Sequence, residues 1–276
     1  MAADPMERAT AQWSDTSTWL PLDGLAAGFD ANKAVPSTDL VGRRITVSAT
    51  GEPVTEYMFA ADEVVWTRSG SRRAERYEAF AVDRGLYFVQ LHPAPDADAA
   101  TSLVLDLDAG RALSVVTSIG AAVPGRTRVR QSFRAGVIEG IQHSGHAIVA
   151  TTELSGRRAL WIYSDEHAYE HVYLSPQWYT WQCLAGPEKG LADTDENTVY
   201  VLRPGIYLFA WREKVVPCAA VTVADHRDLR RMRSHGALFG LDGSGRRPVH
   251  FTFGAFGRLL STTAHPADLD PAVEGA

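Results

Sequence analysis

The sequence predicts an all-β protein built as two tandem antiparallel barrels related by internal duplication. Three observations predict it. Short segments rich in Val, Ile, Tyr, Phe and Trp fill the chain; Gly, Pro, Asp and Ser clusters separate them about every 8–12 residues; and a stretch of the first half recurs in the second. Helical periodicity is nearly absent. The turns are too short for the crossover helices that parallel strands need, so neighbouring strands are expected to pair antiparallel.

Strands of the first half are expected to begin near Val41, Val54, Val64, Tyr77, Leu86, Ser102, Arg111 and Arg126. Those of the second half are expected near Ala159, Ala168, Trp178, Asn197, Ile206, Cys218, Arg230 and Val249. Eight antiparallel strands with alternating inward and outward residues close into a barrel just wide enough for side chains or one small ligand. Residues 13–27 read as a short helix or as an arm plugging one barrel end. The expected division is an arm at 1–38, one barrel at 39–138, a second at 139–265 and a frayed tail at 266–276.

The duplication is visible in residues. YEAFAVDRGLYFVQL at 77–91 aligns with NTVYVLRPGIYLFAW at 197–211, pairing Gly85 with Gly205 and Tyr87 with Tyr207. Each reads as a hairpin whose turn glycine accepts a positive φ. LVGRR at 40–44 aligns with LSGRR at 154–158, so the match starts at the first strand of each half.

Composition narrows the function classes. The 276 residues are 45% hydrophobic and 22% charged, as in an ordinary globular protein, and the net charge is −6. No basic stripe runs along the chain; the densest run, 227–233, is broken by Asp228, so nucleic acid is not an expected partner. No apolar stretch approaches the roughly 20 residues of a membrane helix. Residues 1–12 lack the apolar core of a secretory signal, which with two cysteines, Cys183 and Cys218, points to the cytoplasm and reduced thiols. A phosphate-binding Gly-rich loop, a G-x-S-x-G elbow and a C-x-x-C pair are all missing, so no cofactor is expected. A homodimer is left open.

On the strand 207–213, Tyr207, Phe209, Trp211 and Glu213 point one way and Leu208, Ala210 and Arg212 the other. Two placements are open for Glu213. It ends an apolar lumen, where its pKa rises into the range for acid–base work, or it lies past the strand end in water. Trp161, Tyr163, Tyr169, His171 and Tyr173 also share one face, where phenols and an imidazole suit a polar aromatic ligand, although Tyr and Trp serve equally as plain strand formers. Trp181 and Tyr200 are added to the expected ligand wall. His167 and His171 match an H-x-x-E-H string, but on a strand they stand roughly 13 Å apart, too far for one zinc. His143 and His146 lack further partners, so no metal is expected.

Four stretches resemble the MoaF family (molybdenum cofactor biosynthesis protein F): YEHVYL at 169–174, YTWQCLAG at 179–186, EKGLADTD at 188–195 and RPGIYLFAWREK at 203–214. Residues 57–66 and 77–89 resemble that family's amino-terminal domain, so the likeness spans about 19–253. It implies a calycin-like, that is lipocalin-like, fold for each half. Residues 163–213 are also similar to the phenolic acid decarboxylases, lipocalin-like barrels that use a Y-x-Y pair, an arginine and a W-x-E glutamate. Tyr163 stands at the second tyrosine and Glu213 at the glutamate. Trp161 replaces the first tyrosine, and the arginine position falls near Leu191, so the bidentate carboxylate clamp of cinnamate decarboxylation is missing.

The resulting expectation is a MoaF-like barrel acting as a cofactor-free lyase or isomerase on a small aromatic or unsaturated molecule. Glu213, Tyr163 and Tyr169 carry the chemistry, and His171, Trp181, Tyr200, Tyr207, Phe209 and Trp211 line the ligand. The alternatives are a non-catalytic carrier or sensor, and a lumen filled entirely by side chains.

Overall fold

A computed structural model describes residues 16–124, 127–145 and 147–273. His146, Arg126 and the segment before residue 16 lie outside the described residues. The first barrel contains β1 (Arg44–Ser48), β2 (Thr55–Phe59), β3 (Glu63–Arg68), β4 (Ser71–Asp83), β5 (Leu86–Leu91), β6 (Ala99–Asp106), β7 (Arg111–Ile119) and β8 (Val129–Ile138). Each pairs antiparallel with the next, and β1 returns to β8 through Val47 opposite Ile138, closing the cylinder.

A short β9 (Val149–Ala150), unforeseen in the sequence, precedes the second barrel. That barrel contains β10 (Arg157–Ile162), β11 (Ala168–Tyr173), β12 (Trp178–Ala185), β13 (Ala192–Arg203), β14 (Ile206–Arg212), β15 (Cys218–Asp225), β16 (Met232–Leu241) and β17 (Pro248–Thr262). Strand β17 pairs back onto β10, and β9 extends the wall by pairing with β13 beyond the end of β12. Strands β4 and β13 begin five or six residues earlier than the apolar pattern suggests. Their leading segments, SRRAER and ADTDE, are polar, so alternation of apolar residues does not mark them.

The repeat is carried into the coordinates. The pairs β4–β5 and β13–β14 are the fourth and fifth strands of their barrels, and each carries a register shift at the same place, between Ala81 and Asp83 and between Val201 and Arg203. Gly85 and Gly205 close the two turns with φ of 65° and 77°, a region an L side chain enters only at a cost.

Among the described residues, three apolar cores result. One fills each lumen, and a third lies between the barrels. Along β14, Tyr207, Phe209 and Trp211 enter the lumen core, while Ile206, Leu208 and Ala210 enter the inter-barrel core with Phe80, Phe88 and Val104. Strands such as β5 are therefore buried along their whole length, because both faces are covered. Period-two alternation on β13 likewise sends Val199 into the second lumen and Tyr200 out of it. Tyr200, expected in the ligand wall, instead stacks on Phe133 of the first barrel with ring centroids 5.4 Å apart.

The equivalent turns of the two repeats meet across this interface. The Arg203 guanidinium bonds Asp106 at 2.7 and 2.8 Å and Asp83 at 3.0 Å, and Arg227 reaches the same Asp83 at 3.0 Å. Asp83 and Arg203 occupy matching positions of the repeat, so its two copies have diverged to opposite charges that now pair.

Candidate active site in the second barrel

The chain ahead of β1 folds over one mouth of the second barrel. After a 3-10 turn at Thr16–Thr18, Pro21 leads into a one-turn helix α1 (Leu22–Leu25), whose Leu22 is fully buried. Phe29 enters the lumen and stacks on Tyr163 at 4.2 Å, and Trp19 meets Trp181 edge-on at 5.7 Å. Hydrogen bonds hold the segment down: Asn32 donates from Nδ2 to the Ile162 carbonyl at 3.0 Å, and Arg233 donates to the Asn32 carbonyl at 2.6 Å. The expected arm thus closes a barrel, and it is the second one that it covers.

Beneath the arm lies a cavity of about 40 Å³. A water needs roughly 10–15 Å³ by the same measure, so the cavity holds a few waters and nothing larger while the arm is down. Phe29→Ala should lower stability by about 3 kcal/mol, because it removes a buried ring, and should let 1-anilinonaphthalene-8-sulfonate into the lumen. Unchanged stability and dye fluorescence would show that the arm does not seal the barrel.

Glu213, Tyr163, Tyr169, His171, Trp181 and Trp211 all line this cavity. Phe209 lines a smaller void of about 10 Å³ deeper in the lumen, together with Tyr163, His171 and Trp211. Tyr207 shares their strand face but not their cavity. Four steps along the strand, roughly 13 Å, separate it from Trp211, and its hydroxyl donates to Glu153 at 2.7 Å toward the other end of the barrel.

Glu213 combines features of both placements that the sequence left open. It follows the last residue of β14, yet its carboxyl is enclosed, accepts a hydrogen bond from Trp211 Nε1 at 2.9 Å and keeps only partial exposure at the cavity. Burial, reinforced by the neighbouring Asp195 charge, pushes its pKa up to about 8. Burial also raises Tyr163 and Tyr169 above the ordinary phenol range, so both remain protonated donors at neutral pH. Tyr163 is raised further by the Glu213 charge. Burial holds His171 down to about 3, leaving a neutral ring whose Nδ1 has no hydrogen-bond partner among the described residues.

Several cavity groups escaped the sequence reading. Glu188, in the connection from β12 to β13, is buried, accepts a hydrogen bond from the Tyr169 hydroxyl at 2.9 Å, and has its pKa raised by burial. Asp195, which does not itself line the cavity, accepts a hydrogen bond from Trp181 Nε1 at 3.0 Å and has a raised pKa for the same reason. Tyr179, Cys218, Trp19 and Phe29 complete much of the wall. Glu188 sits in a loop with no period to aim it, and Trp19 and Phe29 belong to an arm without strand alternation. Tyr179 and Asp195 carried a signal, because Tyr179 alternates with Trp181 along β12 and Asp195 alternates with Asp193 and Asn197 along β13.

A family model for the MoaF amino-terminal domain matches residues 17–121, and one for the MoaF carboxy-terminal domain matches residues 148–263. Protein MoaF of Klebsiella aerogenes is 31% identical over 272 residues, covering 90% of this chain and 98% of that protein. The chain belongs to the MoaF family. The amino-terminal match begins in the arm, so this MoaF-family chain covers its second barrel with the lead-in to its first. Among solved structures, a putative β-lactamase from Burkholderia vietnamiensis is 16% identical, with 41% of this chain and 100% of that one covered and a TM-score of 0.33. A protein of unknown function from the DUF3598 family of Nostoc punctiforme is 11% identical, with 78% and 93% covered and a TM-score of 0.35.

Proposed function

We propose that the second barrel is a cofactor-free lyase or isomerase that takes a small aromatic or unsaturated molecule beneath its arm and moves a proton on and off Glu213. The supporting observation is the enclosure of the Glu213 carboxyl in an aromatic cavity that it shares with Tyr163, with a pKa near 8. An acid or base works best when its pKa lies near the operating pH, and a carboxylic acid in water is far from that. In the ionised form Glu213 accepts a proton from carbon, and the electron pair moves into the adjacent double bond. Returning the proton at the far end of the unsaturated system isomerises the substrate; expelling a leaving group instead completes an elimination. Tyr163 and Tyr169, held neutral, donate hydrogen bonds to the polar end of the molecule.

The test is a thermal-shift screen of phenolic acids, aldehydes and amines on the full chain, followed by proton NMR of each hit in D2O. Deuterium exchange or conversion is expected with the wild type, and a loss of at least about 100-fold is expected with Glu213→Gln. Equal turnover by the variant would remove Glu213 from the chemistry. A carrier or sensor is the second reading, favoured by the hydrogen bonds that stitch the arm over the barrel mouth and would retain a ligand beneath it. Under it, a bound hit is recovered unaltered and unexchanged from both proteins.

A further inference from the structure

The charges around the cavity are unbalanced. Two carboxyl groups, Glu188 and Glu213, line it, and among the described residues no Lys or Arg does. Their hydrogen-bond donors, the Tyr169 hydroxyl for Glu188 and Trp211 Nε1 for Glu213, are neutral. The bases nearest in sequence lie outside the lining: Lys189, beside Glu188, is exposed to solvent. Lys214 turns outward to Asp193 at 2.7 Å and Asp195 at 3.2 Å, and Arg212 points out of the lumen to Gln131 at 3.0 Å. Asp195 thus has its cation, whereas Glu188 and Glu213 have no ion pair among the described residues. Much of the remaining wall is aromatic, with Trp19, Trp181, Trp211, Phe29 and Tyr179 supplying rings whose faces carry negative electrostatic potential, beside the aliphatic Leu20, Leu25, Val216 and Leu238. An anion entering this space meets two carboxyls and no positive partner.

We propose that the lumen selects a cation: an aromatic or unsaturated molecule bearing an ammonium group that settles beside Glu188 and Glu213 within the aromatic wall. This deepens the reading of the second barrel as a ligand site and rests on it. The class is opposite in charge to a phenolic acid, for which the missing arginine would be needed. It also gives the unpartnered His171 Nδ1 an occupant, since a neutral ring nitrogen can accept from an ammonium.

Binding of a cation has a proton consequence. The titratable groups around Glu213 are Glu188, Asp195, Cys218, Tyr163, Tyr169, Tyr179 and His171; burial, with the Asp195 and Glu188 charges added to it, holds Glu213 mostly protonated at neutral pH. A positive charge within about 4–6 Å lowers a carboxyl pKa by about 1–3 units. From a starting value of about 8, binding at pH 7 should release between about 0.4 and 0.9 proton per ligand. Affinity should fall, by up to about tenfold per pH unit, as the pH drops below 8.

The experiment is isothermal titration of the full chain with benzylammonium, benzyl alcohol and benzoate, three probes of one size, in phosphate and in Tris at pH 7. Benzylammonium is expected to bind at least about tenfold more tightly than benzyl alcohol, with the stated proton release, and benzoate is expected not to bind. Glu213→Gln should abolish the proton release, and Glu188→Gln should weaken benzylammonium about tenfold or more while sparing benzyl alcohol. Benzyl alcohol or benzoate binding as tightly as benzylammonium overturns the cation proposal while leaving the lumen a ligand site, and cation binding without proton release overturns the placement of the ammonium beside Glu213. Failure of all three probes with both the wild type and the arm-loosened Phe29→Ala chain overturns the ligand reading as well.

Discussion

Glu213→Gln is expected to stabilise the protein at pH 8 and to leave it nearly unchanged at pH 4. A glutamate in an unfolded chain titrates near 4.3, whereas Glu213 in the folded barrel titrates near 8 because burial disfavours its charge. Between those values the native state holds a proton that the unfolded chain has released. Stability therefore falls as pH rises through that window, by at most about 1.4 kcal/mol per pH unit, and levels off above pH 8. Glutamine has nearly the same shape and carries no charge, so it removes this slope. Allowing for partial access to the cavity, the gain at pH 8 should be on the order of 3 kcal/mol. Urea unfolding of both chains at pH 4, 6 and 8 measures it, followed by tryptophan fluorescence, which comes mostly from rings in or against the second barrel. Parallel pH profiles for the two proteins would mean that the carboxyl is hydrated, and the acid–base proposal would fall with its enclosure. A gain in stability alongside a loss of turnover would instead mark Glu213 as a group kept at a cost to folding, as functional residues often are.

Arg203→Met is expected to destabilise the chain by about 3 kcal/mol and to loosen the contact between the barrels. Asp106 is 2% exposed and Arg203 meets both of its carboxylate oxygens, so removing the guanidinium leaves a buried carboxylate with only the Ala109 backbone N–H and water to satisfy it. Breaking such a pair from one side costs about 3–5 kcal/mol, and the partial exposure of the Arg203 side chain puts this case at the low end. The same substitution frees Asp83, which retains Arg227. Adding Asp106→Asn should recover part of the loss, since the uncompensated charge is then gone. Urea titrations of the three chains decide it, and a loss below about 1 kcal/mol for Arg203→Met would show that the repeat turns do not clamp the barrels.

Two kinds of information separate in this chain. Alternation along a strand is local, so the sequence by itself determined the eightfold strand succession, the duplicated hairpins around Gly85 and Gly205, and the common face of Phe209, Trp211 and Glu213. The same alternation, read with the strand rise, would also have set Tyr207 far from Trp211. Only the tertiary structure decided which residues meet across strands distant in sequence. It drew Trp19 and Phe29 over the second barrel, brought Glu188 from an aperiodic loop to Tyr169, and turned Tyr200 toward Phe133 by packing the outer face of β13 on the other barrel. It also decided the state of Glu213, because a pKa depends on the surrounding protein in three dimensions, and no spacing along one strand can state whether a carboxyl past its end meets water or a closed cavity.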